Sequence, residues 1–222
     1  MIYSPTYEKQ LIWNDTVGKC PICKGKGYVI PTTTQVYTTC TCEIDRRLRV
    51  KYYDNLPFQF RNLDIENFIE KGIPPYQNIK NYIDNIDSKK QEGVWVYIGG
   101  GGGKTLLAVS ILKAAIKKGY NVKFCTIREI VDAECSSDQE FKDAFKQSHF
   151  IVIDALDSVF KSTEYAKEVV SGIVISYLED VIRRGNICIF TSKCHLNRMR
   201  DRLSEELCAS IEEKVKNEEY IS

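Results

Sequence analysis

No run of 18 or more apolar residues occurs anywhere in the 222-residue sequence, so no membrane-spanning helix is expected. Neither sign of charge prevails. Thirty-one Lys+Arg against 30 Asp+Glu leave a formal net charge of +1, which excludes a globally basic coat for nucleic acid but not a local patch. The first residues, MIYSPTYEKQLIWNDT, lack a basic segment followed by an apolar one, so they do not read as a secretory leader. Collagen-like, coiled-coil and low-complexity classes also fail on composition. The length corresponds to one ordinary domain, or one domain with a small appendage. It is enough to hide roughly 70% of the unfolded surface.

The nine cysteines fall into two populations. Cys125, Cys135, Cys188, Cys194 and Cys208 are scattered through apolar segments and read as core thiols, small hydrophobes in a reducing compartment. Cys20, Cys23, Cys40 and Cys42 are crowded near the start, as a CxxC and a CxC with sixteen residues between the pairs. Each pair brings two thiolates from one tight turn to a single ion. Two such turns make a closed tetrahedral S4 site, which suits a structural Zn2+ with no position open for water. The segment between the pairs, KGKGYVIPTTTQVYTT, reads as a Gly-rich knuckle and a short hairpin. A ribbon of this size needs its metal to fold.

Residues 43–71 are charged and aromatic and read as two short helices or loops broken at Pro57, followed by a turn at Gly72-Ile73-Pro74-Pro75. Tyr76, Ile79, Tyr82, Ile83 and Ile86 recur at the helical period, which predicts one amphipathic helix over 76–91. From Val94 the pattern changes to apolar strands alternating with helices. Strands are read at 94–98, 121–126, 150–154 and 187–191. Helices are read at 105–118, 127–135, 141–148 and 167–184, with a charged helical tail from Leu196. Near-continuous apolar strands separated by helices predict an α/β fold, a parallel sheet covered on both faces.

Between the first of these strands and its helix lies Ile98-Gly99-Gly100-Gly101-Gly102-Gly103-Lys104-Thr105, the setting of a phosphate-binding Walker A loop. Glycines let successive backbone N–H groups turn inward, and the helix presents its positive end to the phosphates. Gly99, Gly100, Gly101, Gly102, Gly103, Lys104, Thr105 and Leu106 are the candidate nucleotide-binding residues. Lys104 would reach the β- and γ-phosphates, and Thr105 would offer its hydroxyl to Mg2+. The usual spacing, GxxxxGK[ST], puts Ile98 where the first glycine belongs. Either Ile98 replaces that glycine or the loop is one residue shorter, and five glycines in a row leave the register open. Phe150–Asp154, an apolar strand ending in an acid, matches a Walker B strand with Asp154 on the metal. Hydrolysing members of this class usually carry a second acid next in sequence, and here that residue is Ala155. Asp157 serves only if the loop bends back. Thr191 and Ser192 end the last strand, where a polar group would sense the γ-phosphate.

With these pieces in place, residues 94–213 resemble the bacterial helicase-loader branch of the AAA+ ATPases, the DnaC/DnaI-like proteins, with IstB-type transposition ATPases as near relatives. The cysteine module, LPFQFRNLDIENF and the GIPP turn resemble phage and prophage loaders. The resemblance implies an AAA+ P-loop fold without a large lid domain, plus the small zinc-binding module. Residues 1–60 would be the zinc-bearing, helicase-docking module, 61–92 a linker with the amphipathic helix, and 93–222 the ATP-binding domain. It also implies ATP (or ADP) with Mg2+ and Zn2+, a hexameric replicative helicase, single-stranded DNA, self-association through the AAA+ unit, and a bacterial or phage-infected cytoplasm.

Catalytic roles would fall on Lys104, Asp154, Asp157 and Thr191. Three positions depart from the pattern. Ala155 stands for the second acid, Lys193 for the sensor asparagine, and Ser210 for the arginine finger, with Arg198, Arg200 and Arg202 just upstream. These departures point to ATP binding with slow hydrolysis or none. Tyr3, Tyr7, Trp13, Tyr52, Tyr53, Phe58 and Phe60 are either helicase anchors or satellite core. Lys161, Arg183 and Arg184 are either DNA-phosphate contacts or a solvated face. A transposition-type DNA-coating ATPase and a non-hydrolysing helicase adaptor or inhibitor remain as alternatives to the loader.

Overall fold

The computed structural model describes residues 14–30, 36–63, 65, 74–100, 102–158, 164–194, 198, 205–215 and 220–221. Tyr3, Tyr7, Trp13, Gly101, Lys161, Arg200 and Arg202 lie outside them. The chain forms two compact units, Met1–Arg61 and Asn62–Ser222.

In the first unit, a π-helical turn at Asn14–Gly18 leads into the cysteine knuckle. β1 (Tyr28–Val29) and β2 (Thr38–Thr39) then pair antiparallel, Tyr28 opposite Thr39. This is the short hairpin that the intervening sequence predicts. α1 (Thr41–Asn55) follows as one 15-residue helix, the first of the two pieces that the sequence divides at Pro57. Pro57 does end it, since proline forbids helical geometry in the residue before it, and a 3-10 turn at Phe58–Phe60 comes next. Glu43 in the first turn of α1 is bonded by Arg46 (2.7 Å) and Arg47 (2.9 Å). The Arg46 guanidinium above all holds its carboxyl down at about 2. Among the described residues of this unit, Val17 with Cys20, Cys23 and Cys40 forms one buried cluster, and Leu56 is also buried.

The second unit begins with α2 (Pro74–Asp84) and α3 (Ile86–Glu92). The prolines read as a turn instead open α2, where a missing N–H is harmless. The single helix predicted over 76–91 breaks at Asn85, whose side-chain amide donates to the Asn81 carbonyl (2.9 Å). The predicted stripe is kept across the break: Ile79, Tyr82 and Ile86 are buried.

The rest alternates: β3 (Val96–Ile98), α4 (Lys104–Lys117), β4 (Val122–Thr126), α5 (Ile127–Cys135), α6 (Gln139–Gln147), β5 (Phe150–Asp154), α7 (Glu164–Arg183), β6 (Ile187–Thr191), α8 (Glu205–Lys214) and β7 (Tyr220–Ile221). All sheet pairings are parallel, in the order β4-β5-β6-β3-β7. β7 carries no signal in the sequence and adds two residues at the β3 edge. Ten of the fourteen residues of α4 are buried, because this helix is packed against four strands. Thr126 ends β4 and caps α5 at once, exchanging hydrogen bonds with Glu129 in a capping box.

β3 leaves for the far edge of the sheet, whereas β6 beside it leads to the opposite edge. The crevice at the carboxyl ends of these strands is the topological switch point where α/β folds bind ligands. Of the five scattered cysteines, Cys125, Cys188 and Cys208 are core thiols, and burial pushes Cys125 and Cys188 up. Cys135 is exposed and Cys194 half-buried, which corrects the reading of all five as core.

Phe190 in β6 is wholly buried and packs on Trp95, ring centroids 5.7 Å apart. Phe190→Ala is expected to cost about 3–5 kcal/mol. In urea denaturation the midpoint should fall with an unchanged slope.

Candidate nucleotide and metal sites

The four clustered cysteines converge. Their sulfurs all lie within 4.8 Å of one another, with Cys20–Cys40 at 3.8 Å and Cys23–Cys42 at 3.5 Å. A disulfide needs sulfurs about 2.05 Å apart. A regular tetrahedron with metal–sulfur bonds of about 2.3 Å has edges of about 3.8 Å, so the donor set fits a zinc ion. The knuckle is held by Lys24 N donating to Cys20 O (2.9 Å) and by Gly27 N donating to the Cys23 sulfur (3.3 Å). Burial raises the Cys23 thiol. The Gly27 N–H and the bonds from Cys42 and Cys20 outweigh it and bring the group down to about 6. Cys20 is also lowered, chiefly by the Cys23 backbone N–H, while burial pushes Cys42 up. Low-lying thiols in such a cluster favour a bound cation.

The glycine loop joins β3 to α4 at the switch point. Gly100 (φ +80°) and Gly103 (φ +85°) take left-handed geometry, which glycine adopts without strain. At Gly103 a Cβ would also be tight, 3.1 Å from the Tyr76 hydroxyl, which would have to give way by a few tenths of an ångström. Lys104 opens α4 and its amine donates to Gly100 O (2.6 Å), which places the positive charge within the loop. The first N–H groups of α4 have no helical acceptors, and those of Lys104, Thr105 and Leu106 are at that end.

Two strand ends and the start of α4 meet beside this loop. Thr105 Oγ1 donates to Asp154 Oδ1 (3.0 Å), and Thr191 Oγ1 donates to the same oxygen (2.5 Å). The Thr191 hydroxyl in turn accepts the Ala155 N–H (2.9 Å). Thr105, Asp154, Thr191 and the loop lysine are therefore gathered at one place. Ser192 Oγ donates to Asp157 Oδ1 (3.2 Å), and Lys193 N donates to the same carboxylate oxygen (2.8 Å). Asp157 is buried and braces the turn after β6. Tyr97 reinforces that turn by donating to Cys194 O (2.8 Å), and burial pushes its phenol up.

Lys193 is exposed, Ser210 half-buried in α8, and Arg198 exposed. Arg183 and Arg184 are exposed and share Asp180, at 3.7 and 2.9 Å. Sequence reasoning missed two residues. Tyr76 reaches Gly103 from a helix far upstream. Lys113, buried in the apolar α4, donates to the Leu63 carbonyl. A lysine amid an apolar helical run is the only signal for the second, and nothing local signals the first. Among the described residues, no helix is long and apolar enough to cross a membrane.

No protein-family model and no curated protein sequence matches the chain. Solved structures do match. AMPPCP-bound DnaA from Aquifex aeolicus aligns over 72% of this chain at 21% identity and a TM-score of 0.57. The alignment takes in 50% of the DnaA chain, so this chain spans about half of that protein. A primosome component of Streptococcus pyogenes serotype M3, described there as putative, aligns over 75% of this chain and 90% of its own, at 14% identity and a TM-score of 0.57. A DnaC helicase loader aligns over 66% and 88%, at 21% identity and a TM-score of 0.50. The fold, a parallel sheet flanked by helices, is one that this chain shares with these DnaA, primosome-component and DnaC structures.

Thr191 both positions Asp154 and receives the Ala155 N–H. Thr191→Val removes both bonds and leaves a half-buried N–H without its acceptor. It is expected to cost about 1–3 kcal/mol, read as a lowered urea midpoint. An unchanged midpoint would show that the hydroxyl contributes nothing to holding the strand ends together.

Proposed function

We propose that the chain is an ATP-binding loader of a hexameric replicative DNA helicase, of phage or prophage type, that assists placement of the helicase on single-stranded DNA. The observation that carries this reading is the Asp154 carboxylate oxygen, shared by Thr105 and Thr191 over a glycine loop, on a fold common to helicase loaders. In this reading the N–H groups from Gly99 to Leu106 hold the phosphates of ATP or ADP, and Lys104 neutralises the β- and γ-groups. Thr105 and Asp154 hold Mg2+, and Thr191 couples Asp154 to the γ-phosphate position. The copies associate through their nucleotide-binding units. Zn2+ on Cys20, Cys23, Cys40 and Cys42 braces the N-terminal unit, which docks on the helicase through aromatic side chains that include Phe58 and Phe60.

A second reading, a helicase adaptor that binds ATP without turning it over, has its own observation. Ala155 carries no carboxylate, and Asp157 already accepts two hydrogen bonds from the turn after β6. ATP turnover with helicase and single-stranded DNA both present separates the two. Stimulation above background supports the loader, and its absence favours the adaptor.

Lys104→Ala removes a charge-assisted contact to phosphate and should weaken nucleotide binding by about 10- to 100-fold, measured by titrating a fluorescent ATP analogue. Equal affinity would sink the phosphate-loop assignment. Metal analysis should return about one zinc per chain. Cys20→Ser with Cys23→Ser should abolish it and unfold residues 1–61 while the unfolding transition of 62–222 persists. Co-purification with the replicative helicase of the native host, in ATP and Mg2+, tests the loader role directly. A failure to form any complex would overturn it.

A further inference from the structure

Exposed apolar side chains are unevenly placed. Among the described residues ten large hydrophobics are exposed, and Ile22, Tyr28, Ile30, Val36 and Tyr37 all belong to the knuckle and its hairpin. Ile22, Lys24, Lys26, Tyr28 and Ile30 line one groove of about 300 Å3 beside Cys23. Tyr37 is 68% exposed and Tyr28 40%. Their rings meet edge to face, centroids 5.0 Å apart, which leaves aromatic surface open to solvent.

The charge of this unit differs from that of the rest. Residues 1–61 carry nine Lys+Arg against five Asp+Glu, whereas residues 62–222 carry 22 against 25. A zinc ion with four thiolates adds two negative charges, and the unit stays positive. Glu43 and Asp45 are taken by Arg46, Arg47 and Arg49, while neither Lys24 nor Lys26 has an ion pair among the described residues. Lys24 also sits at φ +51°, where glycine or asparagine would be the less strained choice, so the turn itself does not call for a lysine. Protein-docking surfaces are depleted in lysine at their centres, yet here two lysines stand inside the groove. Cations beside open aromatic rings are instead the composition that holds a phosphodiester chain with unpaired bases.

We propose that this face of the knuckle binds single-stranded nucleic acid without base specificity. Lys24 and Lys26 neutralise phosphates, and Tyr28 and Tyr37 offer rings for base stacking. This puts a nucleic-acid contact on the metal-bearing unit and does not require the helicase.

The test is anisotropy of labelled oligo-dT with the full-length chain, without helicase or nucleotide, across a salt series. Zinc content is measured in every variant. Lys24→Ala with Lys26→Ala should weaken binding about tenfold and reduce the log–log salt slope by about 1.4, near 0.7 per lost phosphate contact. Tyr28→Ala with Tyr37→Ala should weaken it about tenfold, while Tyr28→Phe with Tyr37→Phe should keep it. The proposal is overturned if the parent chain does not bind, or if both alanine pairs bind like the parent with the same slope. Alanine pairs that lose helicase capture but keep DNA affinity would make this a protein-docking face and also overturn it. Failure of the parent chain to capture helicase defeats the loader reading alone and leaves the DNA measurement standing.

Discussion

Asp154 Oδ1 accepts two hydroxyl hydrogen bonds, from Thr105 at the start of α4 and from Thr191 at the end of β6. These groups are 49 and 37 residues away from Asp154 in sequence, and only the strand order brings them together. β6 lies between β5 and β3, so its last residue stands between the Asp154 strand and the glycine loop. If β3 and β5 were neighbours, Thr191 would not lie between them. The register supports this arrangement, with Ile98 beside Thr191 and Ile153 beside Phe190. Even the chain direction after β6 is tied in, since Ser192 N donates to Ile98 O (3.0 Å). A divalent ion and a phosphate need several oxygen and N–H ligands at one point, and the parallel sheet supplies that point at its carboxyl edge.

The two units stabilise themselves differently. The second buries whole side chains such as Trp95, Tyr97 and Phe150 between sheet and helices, as a domain of its size can. Among its described residues the first buries Val17 and Leu56 with the sulfurs of Cys20, Cys23 and Cys40. Four thiolates gathered at such a centre are the kind of donor set through which a bound metal adds folding free energy to a small unit. The hydrogen bond from Gly27 N to the Cys23 sulfur belongs to the same economy, because outer partners orient the ligand.

Residues whose type and spacing carry their own physics were readable in the sequence. Five glycines before Lys-Thr allowed left-handed backbone at a helix start, which Gly100 and Gly103 adopt, and Phe150–Asp154 read as a buried strand ending in an acid, which it is. CxxC with CxC pointed to a shared ion, and the four sulfurs do converge. What could not be read depended on distant contacts. The strand order was invisible, because nothing in Ile187–Thr191 says which strands flank it. β7 is two residues long, below any periodicity. The break at Asn85 is set by a side chain competing for the Asn81 carbonyl, and the 76–91 stripe is the same with or without it. Tyr76 looked like one more apolar position of that stripe, although its hydroxyl reaches Gly103. Cys135 was read as core from its apolar neighbours, yet it ends α5 on the exposed side.

The backbone just after Asp154 takes an uncommon conformation. Ala155 has φ +53°, a left-handed conformation that strains a residue with a Cβ. It is held there by its N–H on Thr191 and by the return bonds Leu156 N to Thr191 O and Ser158 N to Ala155 O, both 2.8 Å. The backbone therefore bends sharply just past Asp154. That bend directs Asp157 back to the turn after β6, where Ser192 and Lys193 hold its carboxylate. An acid at 157 used in this way ties the segment after β5 to Ser192 and Lys193, the two residues that follow Thr191. Ala155 puts no carboxylate directly after Asp154, and the next acid, Asp157, is already committed to the turn after β6, so the strand end presents Asp154 as its one carboxylate toward the glycine loop.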